Sequence, residues 1–225
     1  MFLKYDINKG DMYQLGGSIL LCDDATKKEN ILNLIKNNHI HVLFTDPPFD
    51  FEEFNTLSAL FSICEENFVM CSDKQAVQLA SKNMDTFRYF FTIKLTQSFY
   101  VSNYTPMFQH DLIAYFRKGK TNFNNLKDHF TTHLEENKRY AGKNYAKAYQ
   151  KDINLVATFL LHYSKRGDNI LDVFGGTGTP LICAEKLKRK CFMMEIDPKR
   201  CDVILQRYEN LFHKKPIKIK DGNNV

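Results

Sequence analysis

Residues 170–180 read Ile170-Leu171-Asp172-Val173-Phe174-Gly175-Gly176-Thr177-Gly178-Thr179-Pro180. A short apolar run ends near an aspartate, three glycines follow within four positions, and Thr-Pro opens a helix-like stretch. Strand, glycine turn and helix start form the unit from which parallel α/β sheets are built. Glycine lets the backbone turn sharply and approach a ligand closely. The spacing is not G-x-G-x-x-G, so the dinucleotide fingerprint is absent and a nicotinamide oxidoreductase is disfavoured. A glycine loop alone is equally a tight βα turn. Glu195 changes the balance, because it ends the next apolar run, twenty residues beyond Gly175. An acid at that distance lands beside a ribose and accepts from its hydroxyls. The pair argues for a nucleoside-containing cofactor.

Outward from this stretch, apolar runs alternate with helix-like segments. Strands are predicted at Ser18–Cys22, His41–Thr45, Asn67–Cys71, Arg88–Lys94, Asp111–Phe116, Ile170–Phe174 and Cys191–Ile196. Helices are predicted at Lys27–Lys36, Lys74–Met84, Ile153–Ser164, Pro180–Lys188 and Pro198–Leu211. Several strands are apolar nearly throughout, as strands covered on both faces must be. Asp197-Pro198 is a clean helix start, a capping acid followed by proline at the first helical position. The fold class is α/β, a mostly parallel sheet with helices on both faces. The length of 225 residues, with 44% hydrophobic residues, suits one domain spanning 1–225.

The sharpest motif is Thr45-Asp46-Pro47-Pro48-Phe49, directly after the apolar run His41–Phe44. Ligands of parallel sheets gather at the carboxyl ends of strands. Two prolines stop the ladder and fix the backbone, so the Asp46 carboxylate and the Pro47 carbonyl point in set directions. Two rigid acceptors can take the two hydrogens of an exocyclic amine, and the Phe49 ring can stack on the base that carries it. Asp-Pro alone marks a turn. Asp-Pro-Pro-aromatic after a buried strand is more specific.

Together, Asp46–Phe49 and the D-x-F-x-G-x-G stretch Asp172–Gly178 resemble the S-adenosylmethionine-dependent amino-methyltransferases that modify exocyclic amines of DNA bases. The resemblance runs from about Leu20 to Leu211 and implies the Rossmann-like methyltransferase fold. The catalytic motif precedes the cofactor loop, an order similar to the β permutation class, whose target-recognition segment lies between the two. It implies Asp46, Pro47, Pro48 and Phe49 as catalytic. It implies Asp24, Lys151, Asp172, Phe174, Gly175, Gly176, Thr177, Gly178, Thr179 and Glu195 as cofactor-binding. Asp24 ends a strand that resembles the family's strand ending in Gly-Asp, with Asp23 in place of the Gly. Lys151-Asp152 is similar to a Lys-Pro that opens a cofactor-side helix, without its Pro. Phe91–Lys94 and His110–Phe116 resemble the family's Trp-x-Lys and His-Glu strands, with Ile93 and Asp111 substituted. Members with Asp-Pro-Pro-Tyr/Phe mostly methylate adenine N6, whereas cytosine-N4 members more often carry Ser for the Asp. The implied mechanism is direct attack of the amine on the sulfonium methyl, with no covalent enzyme intermediate and with the base extruded from the duplex.

The stretch from Arg117 to Lys151 breaks the pattern. It is polar and holds nine Lys/Arg against three Asp/Glu, a net of about +6, against +5 for the whole chain. It is either a solvated insert or a surface that meets phosphates. It falls where the β class places target recognition, which makes Lys118, Lys120, Lys138, Arg139, Lys143 and Lys147, with Lys94, the nucleic-acid candidates. The tail from His213 to Val225 is expected to fray. Six cysteines with no C-x-x-C pair speak for a reduced chain without structural zinc. His129 and His133 lack the further ligands a metal needs, so none is expected. No run is long enough for a membrane span and the start lacks a signal-peptide core, which points to a cytoplasmic chain, prokaryotic or phage-like by the resemblance. DNA is the implied partner, with a homodimer or a restriction–modification partner completing the grip. An RNA adenine-N6 enzyme, a DNA cytosine-N4 enzyme and a non-catalytic DNA-binding subunit are the alternatives.

Overall fold

The computed structural model describes residues 3–99, 108–126, 130–136 and 151–220. In chain order they form β1 (Met12–Leu15), β2 (Ser18–Cys22), α1 (Lys28–Ile35), β3 (Ile40–Thr45), α2 (Phe54–Leu60), β4 (Cys64–Cys71), α3 (Asp73–Lys82), β5 (Phe87–Phe99), β6 (Phe108–Arg117), β7 (His133–Glu136), α4 (Ile153–Tyr163), β8 (Asn169–Asp172), α5 (Thr179–Lys186), β9 (Lys190–Glu195), α6 (Pro198–Phe212) and β10 (Ile217–Lys220). The strands share one sheet in the order β10-β1-β2-β9-β8-β3-β4-β6-β5-β7. The central strands β2, β9, β8, β3 and β4 are mutually parallel. β6 runs against β4 and β5, and β1 against β2 and β10.

Side-chain alternation divides the core in two. Val42 and Phe44 of β3 join α4, α5 and α6 on one face, while Leu43 joins α1, α2 and α3 on the other. Among the described residues three helices cover each face, which explains why the central strands are apolar in nearly every position. Caps set the helix starts as sequence chemistry requires. Asp197 accepts from Lys199 N at 2.9 Å, and Asp152 accepts from Asn154 N at 2.8 Å. Ser72 and Gln75 close a full capping box on α3.

Topology places the site. From β8 the chain crosses through α5 to β9, and from β3 it crosses through α2 to β4, so the winding reverses between β8 and β3. The strands diverge from that point and leave a crevice at their carboxyl ends.

Of the polar stretch 117–151, residues 117–126 and 130–136 are described, and they begin at the edge of the sheet away from the cleft. β6 antiparallels β4 so that Arg117 pairs with Glu66 while Leu112 pairs with Cys71. Arg117 therefore leaves the sheet at the amino edge of β4, roughly 17 Å along the strand from its carboxyl end. There the buried Glu66 accepts from Tyr115 OH at 2.5 Å, Thr121 Oγ1 at 2.9 Å and Asn122 N at 2.6 Å. Thr121 and Asn122 thus tie this exposed stretch to the fold through the buried Glu66. β7 then pairs parallel with β5, Thr92 opposite His133 and Leu95 opposite Glu136, and returns the chain to the carboxyl edge. The tail differs too: Ile217–Lys220 forms β10 against β1 instead of fraying. α2 and β1 lie outside the predicted elements; both are short.

Phe68, fully buried on β4, stacks on Tyr115 at 4.8 Å and meets Phe44, Phe91, Phe159 and Tyr163. Phe68→Ala should cost about 3–5 kcal/mol. The control Val77→Ala, 68% exposed on α3, should stay within about 0.5 kcal/mol. Urea unfolding checks both, and similar losses in the two variants would refute this account of the core.

Candidate functional site

Two strand ends meet at the reversal point. Thr45 ends β3 and Asp172 ends β8, and the Thr45 hydroxyl donates to Asp172 Oδ1 at 2.8 Å. The same carboxylate accepts from Phe174 N at 3.1 Å, and Val173 N donates back to Thr45 Oγ1 at 3.3 Å. Asp172 is 2% exposed. Burial pushes its carboxyl up to about 7, against the two hydrogen bonds that favour its ionised form; Asp46 and Glu195 raise it further.

Asp46 follows Thr45 directly. Its Oδ2 meets the Lys151 ammonium at 2.8 Å. Lys151, expected at the cofactor, thus sits against the expected catalytic acid. Pro47 is buried, while Pro48 and Phe49 are exposed, Phe49 to 77%. Gln75 of α3 holds this loop from below: its Nε2 donates to the Pro48 carbonyl at 2.8 Å and to the Phe51 carbonyl at 3.3 Å. Phe51 packs edge-on against Phe174 at 4.9 Å, which joins the Asp-Pro-Pro-Phe loop to the glycine loop.

The glycine loop is fixed at each turn. Gly178 has φ +82, and a Cβ there would lie 3.0 Å from Ile204. A Cβ on Gly175 would meet Met193 at 2.8 Å and the Met194 carbonyl at 3.1 Å, so Gly175 is small because the sheet presses on it. Gly176, with φ +54, differs: a Cβ would meet nothing nearer than the Phe174 carbonyl at 3.9 Å. Its N–H donates to Glu195 Oε2 at 2.7 Å, and Asp197 N donates to Glu195 Oε1 at 2.9 Å. Burial raises the Glu195 carboxyl above its ordinary value despite these bonds. Each oxygen keeps acceptor capacity for a further donor.

Phe44, Thr45, Asp46, Lys151, Asp172, Phe174, Gly175, Gly176, Thr177, Thr179 and Pro180 line one cleft that opens to solvent. The structure thus brings the two motifs into one site. Asp24 lies at the same edge, because Asp23 N donates to the Glu195 carbonyl at 3.1 Å. The Asp24 carboxylate itself turns onto Thr26 N at 2.9 Å and Thr26 Oγ1 at 2.7 Å. Lys94 lies toward this edge, paired with Glu135 at 2.8 Å. Lys118 and Lys120 do not join the site: both follow Arg117 at the opposite edge, because β6 runs away from the cleft. Lys138, Arg139, Lys143 and Lys147 lie outside the described residues. The chain leaves β7 at Glu136 and resumes at Lys151, both on the cleft side of the sheet. Among the described residues, no three His, Cys, Asp or Glu side chains group as metal ligands, and no helix is long and apolar enough to cross a membrane.

Two positioning residues escaped the sequence reading. Gln75 had a signal, the S-x-x-Q capping box that opens α3. Arg207 had none: it reaches from the middle of α6 to the Thr177 carbonyl and to Thr179 Oγ1, each at 3.0 Å.

The N6/N4 methyltransferase family model, described as DNA methylase, matches residues 66–206. The chain belongs to this DNA methylase family. The match begins beyond Asp46–Phe49, so that loop rests on its own geometry. No curated protein matches the sequence. Among solved structures, the M1.HpyAVI–SAM complex is 17% identical with a TM-score of 0.69, over 84% of this chain and 98% of that one. PvuII DNA methyltransferase, described as cytosine-N4-specific, is 14% identical with a TM-score of 0.69, over 97% and 92%. A putative DNA modification methylase from Thermus thermophilus, complexed with S-adenosyl-L-methionine, is 16% identical with a TM-score of 0.65, over 90% and 98%. At these identities the likeness speaks for the fold: a Rossmann-like methyltransferase sheet.

The raised Asp172 carboxyl sets a pH dependence. Its folded value, about 7, lies above the unfolded one, so the folded state binds the extra proton between about 4 and 7. Its contribution to stability is present below about 4, falls as pH rises through 7, and is flat beyond. Asp172→Asn keeps the acceptor for Thr45 and removes the titration. The stability of the variant relative to the parent should rise with pH across that window, by up to ~1.4 kcal/mol per unit. Urea midpoints at pH 5 and 8 that shift in parallel would sink the assignment.

Proposed function

We propose that this DNA methylase transfers a methyl group from S-adenosylmethionine to the exocyclic N6 amine of adenine in DNA, acting as one domain over 1–225. The carrying observation is the shared cleft, which Asp46 and the glycine loop Phe174–Thr177 line together. The cleft fits the cofactor's chemistry. Gly176 presents an open face where a side chain would intrude, Glu195 has acceptor capacity left for ribose hydroxyls, and Asp172 lies where a cationic centre would favour its ionised form. When bound, S-adenosylmethionine supplies a methyl group on a positively charged sulfur.

The chain's own residues supply orientation. The Asp46 carboxylate and the Pro47 carbonyl accept the two amine hydrogens and turn the nitrogen lone pair out of conjugation. Methyl transfer would build positive charge on the nitrogen, and the hydrogen bond to the Asp46 carboxylate would strengthen with it. The amine sheds one proton to Asp46 or to water. The Lys151 ammonium lies 2.8 Å from Asp46 Oδ2 and so holds in place the carboxylate that the incoming amine meets. Phe49, exposed beside it, offers a ring for stacking. Adenine is preferred to cytosine because Asp, rather than Ser, opens the motif.

Asp46→Ala should leave affinity for S-adenosylmethionine within a few-fold and abolish N6-methyladenine formation, with the loss in turnover. Calorimetry and nucleoside analysis of methylated DNA and RNA check this. N4-methylcytosine as the product would replace the adenine reading, and methylated RNA alone would replace the DNA reading.

The segment 137–150 adds Lys138, Arg139, Lys143 and Lys147 between two cleft-side ends, and we infer that it meets phosphates. Replacing Lys138, Arg139 and Lys143 by Ala should weaken DNA binding at every sequence. The log–log salt slope should flatten by about 2–3 units. Doubling Lys118→Ala with Lys120→Ala, at the far edge, should change it less. Equal effects from the two sets would count against this placement. Homodimerisation and a restriction–modification partner remain part of the proposal, as means of enlarging the DNA grip.

A further inference from the structure

A second cavity lies at the amino edge of the sheet, away from the cleft. It holds about 200 Å³ and opens to solvent between the ends of β6 and α4 and the stretch 121–132. Side-chain alternation builds its floor: Tyr115 and Arg117, two apart at the end of β6, both turn to the α4 face, where Tyr163 is buried. Tyr89 and Phe123 stand at its mouth, 41% and 39% exposed. The Tyr89 and Tyr163 hydroxyls lie 3.5 Å apart, and the Phe123 ring lies 5.3 Å from that of Tyr163. Two half-open rings around a cavity suit a planar ring system, which gains by stacking on either.

The polar part of the lining selects among planar ligands. Arg117 is half-buried, and its Nε is fully buried and makes no hydrogen bond among the described residues. Nε–H and the neighbouring Nη–H form a fork that takes two acceptors side by side. A carboxylate presents such a pair, and so does the O6/N7 edge of guanine. Charge decides between them. Glu66 stands directly opposite Arg117 in the β4–β6 register, so the two share a face. Glu66 is fully buried and accepts only from neutral donors among the described residues: Tyr115 OH, Thr121 Oγ1 and Asn122 N. The guanidinium thus already faces one anion. A second would sit beside Glu66, whereas a neutral pair of acceptors gains the same two bonds without that repulsion. Size agrees, since sites for drug-sized ligands hold about 300–1,000 Å³ and this smaller cavity suits one fused ring system.

We propose that this cavity binds a guanine ring, which covers the Tyr89 and Phe123 rings and sets O6 and N7 on the Arg117 guanidinium. A free base or nucleoside and a guanine in a single strand share this chemistry. The site contains none of the cleft residues, so the inference stands apart from the methyl-transfer reading.

Calorimetry on the full chain tests it, with 9-methylguanine, 9-methyladenine and benzoate as probes. The parent should bind 9-methylguanine about tenfold tighter than 9-methyladenine, whose amine would oppose the fork. 7-Deaza-9-methylguanine, which lacks the N7 acceptor, should lose a similar factor. Arg117→Gln should abolish the preference for guanine, and Arg117→Lys, a point charge without the fork, should lose most of it. Loss of guanine binding in Asp46→Ala instead would place the ring in the cleft and overturn the inference. A parent that binds both purines equally, binds neither, or prefers benzoate also overturns it, whether or not the variants fold. A short oligothymidylate with and without one guanine separates the two sources. A gain from the guanine that Arg117→Gln removes, with no binding of the free base, assigns the site to a strand; binding of 9-methylguanine itself assigns it to a free ligand.

Discussion

The hydrogen bond from the Thr45 hydroxyl to Asp172 is the constraint from which the site is built. It joins two neighbouring strand ends at the point where the sheet reverses its winding. A hydroxyl on one strand and a carboxylate on the next, both buried, satisfy each other and leave little freedom in relative height. Because the bond sits at the start of each motif, it sets the level of both. Asp46 starts directly after Thr45, and the glycine turn starts just beyond Asp172. The separation of methyl donor and methyl acceptor would thus be set by sheet geometry, with the loops only finishing it.

Around this fixed point the sheet's two edges have different tasks. The carboxyl edge collects acids, glycines and an exposed aromatic ring, with its loops held by hydrogen bonds from behind. Gln75 supports the Asp-Pro-Pro-Phe loop, Glu195 supports Gly176, and Arg207 supports Thr177. The amino edge has the opposite character. There Glu66 gathers Tyr115, Thr121 and Asn122 into a closed knot, and aromatic rings from β4, β5, β6 and α4 pack beside it. Such a knot fixes the return path of the chain.

The sequence was most legible where a pattern is local. The central strands and the helices α1, α3, α4, α5 and α6 lie within a few residues of their predicted bounds, because apolar runs and caps are read over five to fifteen positions. The two strand-end motifs were legible because proline and glycine act on their own neighbours. Pairing partners were not. β1, β7 and β10 are four residues each and owe their existence to the strand beside them. The direction of β6, which separates Lys118 and Lys120 from the cleft, is a property of sheet topology that charge counting along the chain does not contain. The Lys151–Asp46 pair and the reach of Arg207 join residues more than a hundred and about thirty positions apart, beyond any motif window.

The outermost strands carry a consequence for how molecules meet one another. A sheet with open edges can continue into the sheet of a second molecule, since an edge strand shows unpaired amides and carbonyls. Here both edge strands are short and charged. β10 reads Ile-Lys-Ile-Lys, wholly exposed, and β7 ends in two glutamates. Like edges brought together would set lysine against lysine or glutamate against glutamate, and four residues give too short a ladder to offset that repulsion. The strands that close this sheet thus discourage it from growing across molecules, and they leave self-association to surfaces made of side chains.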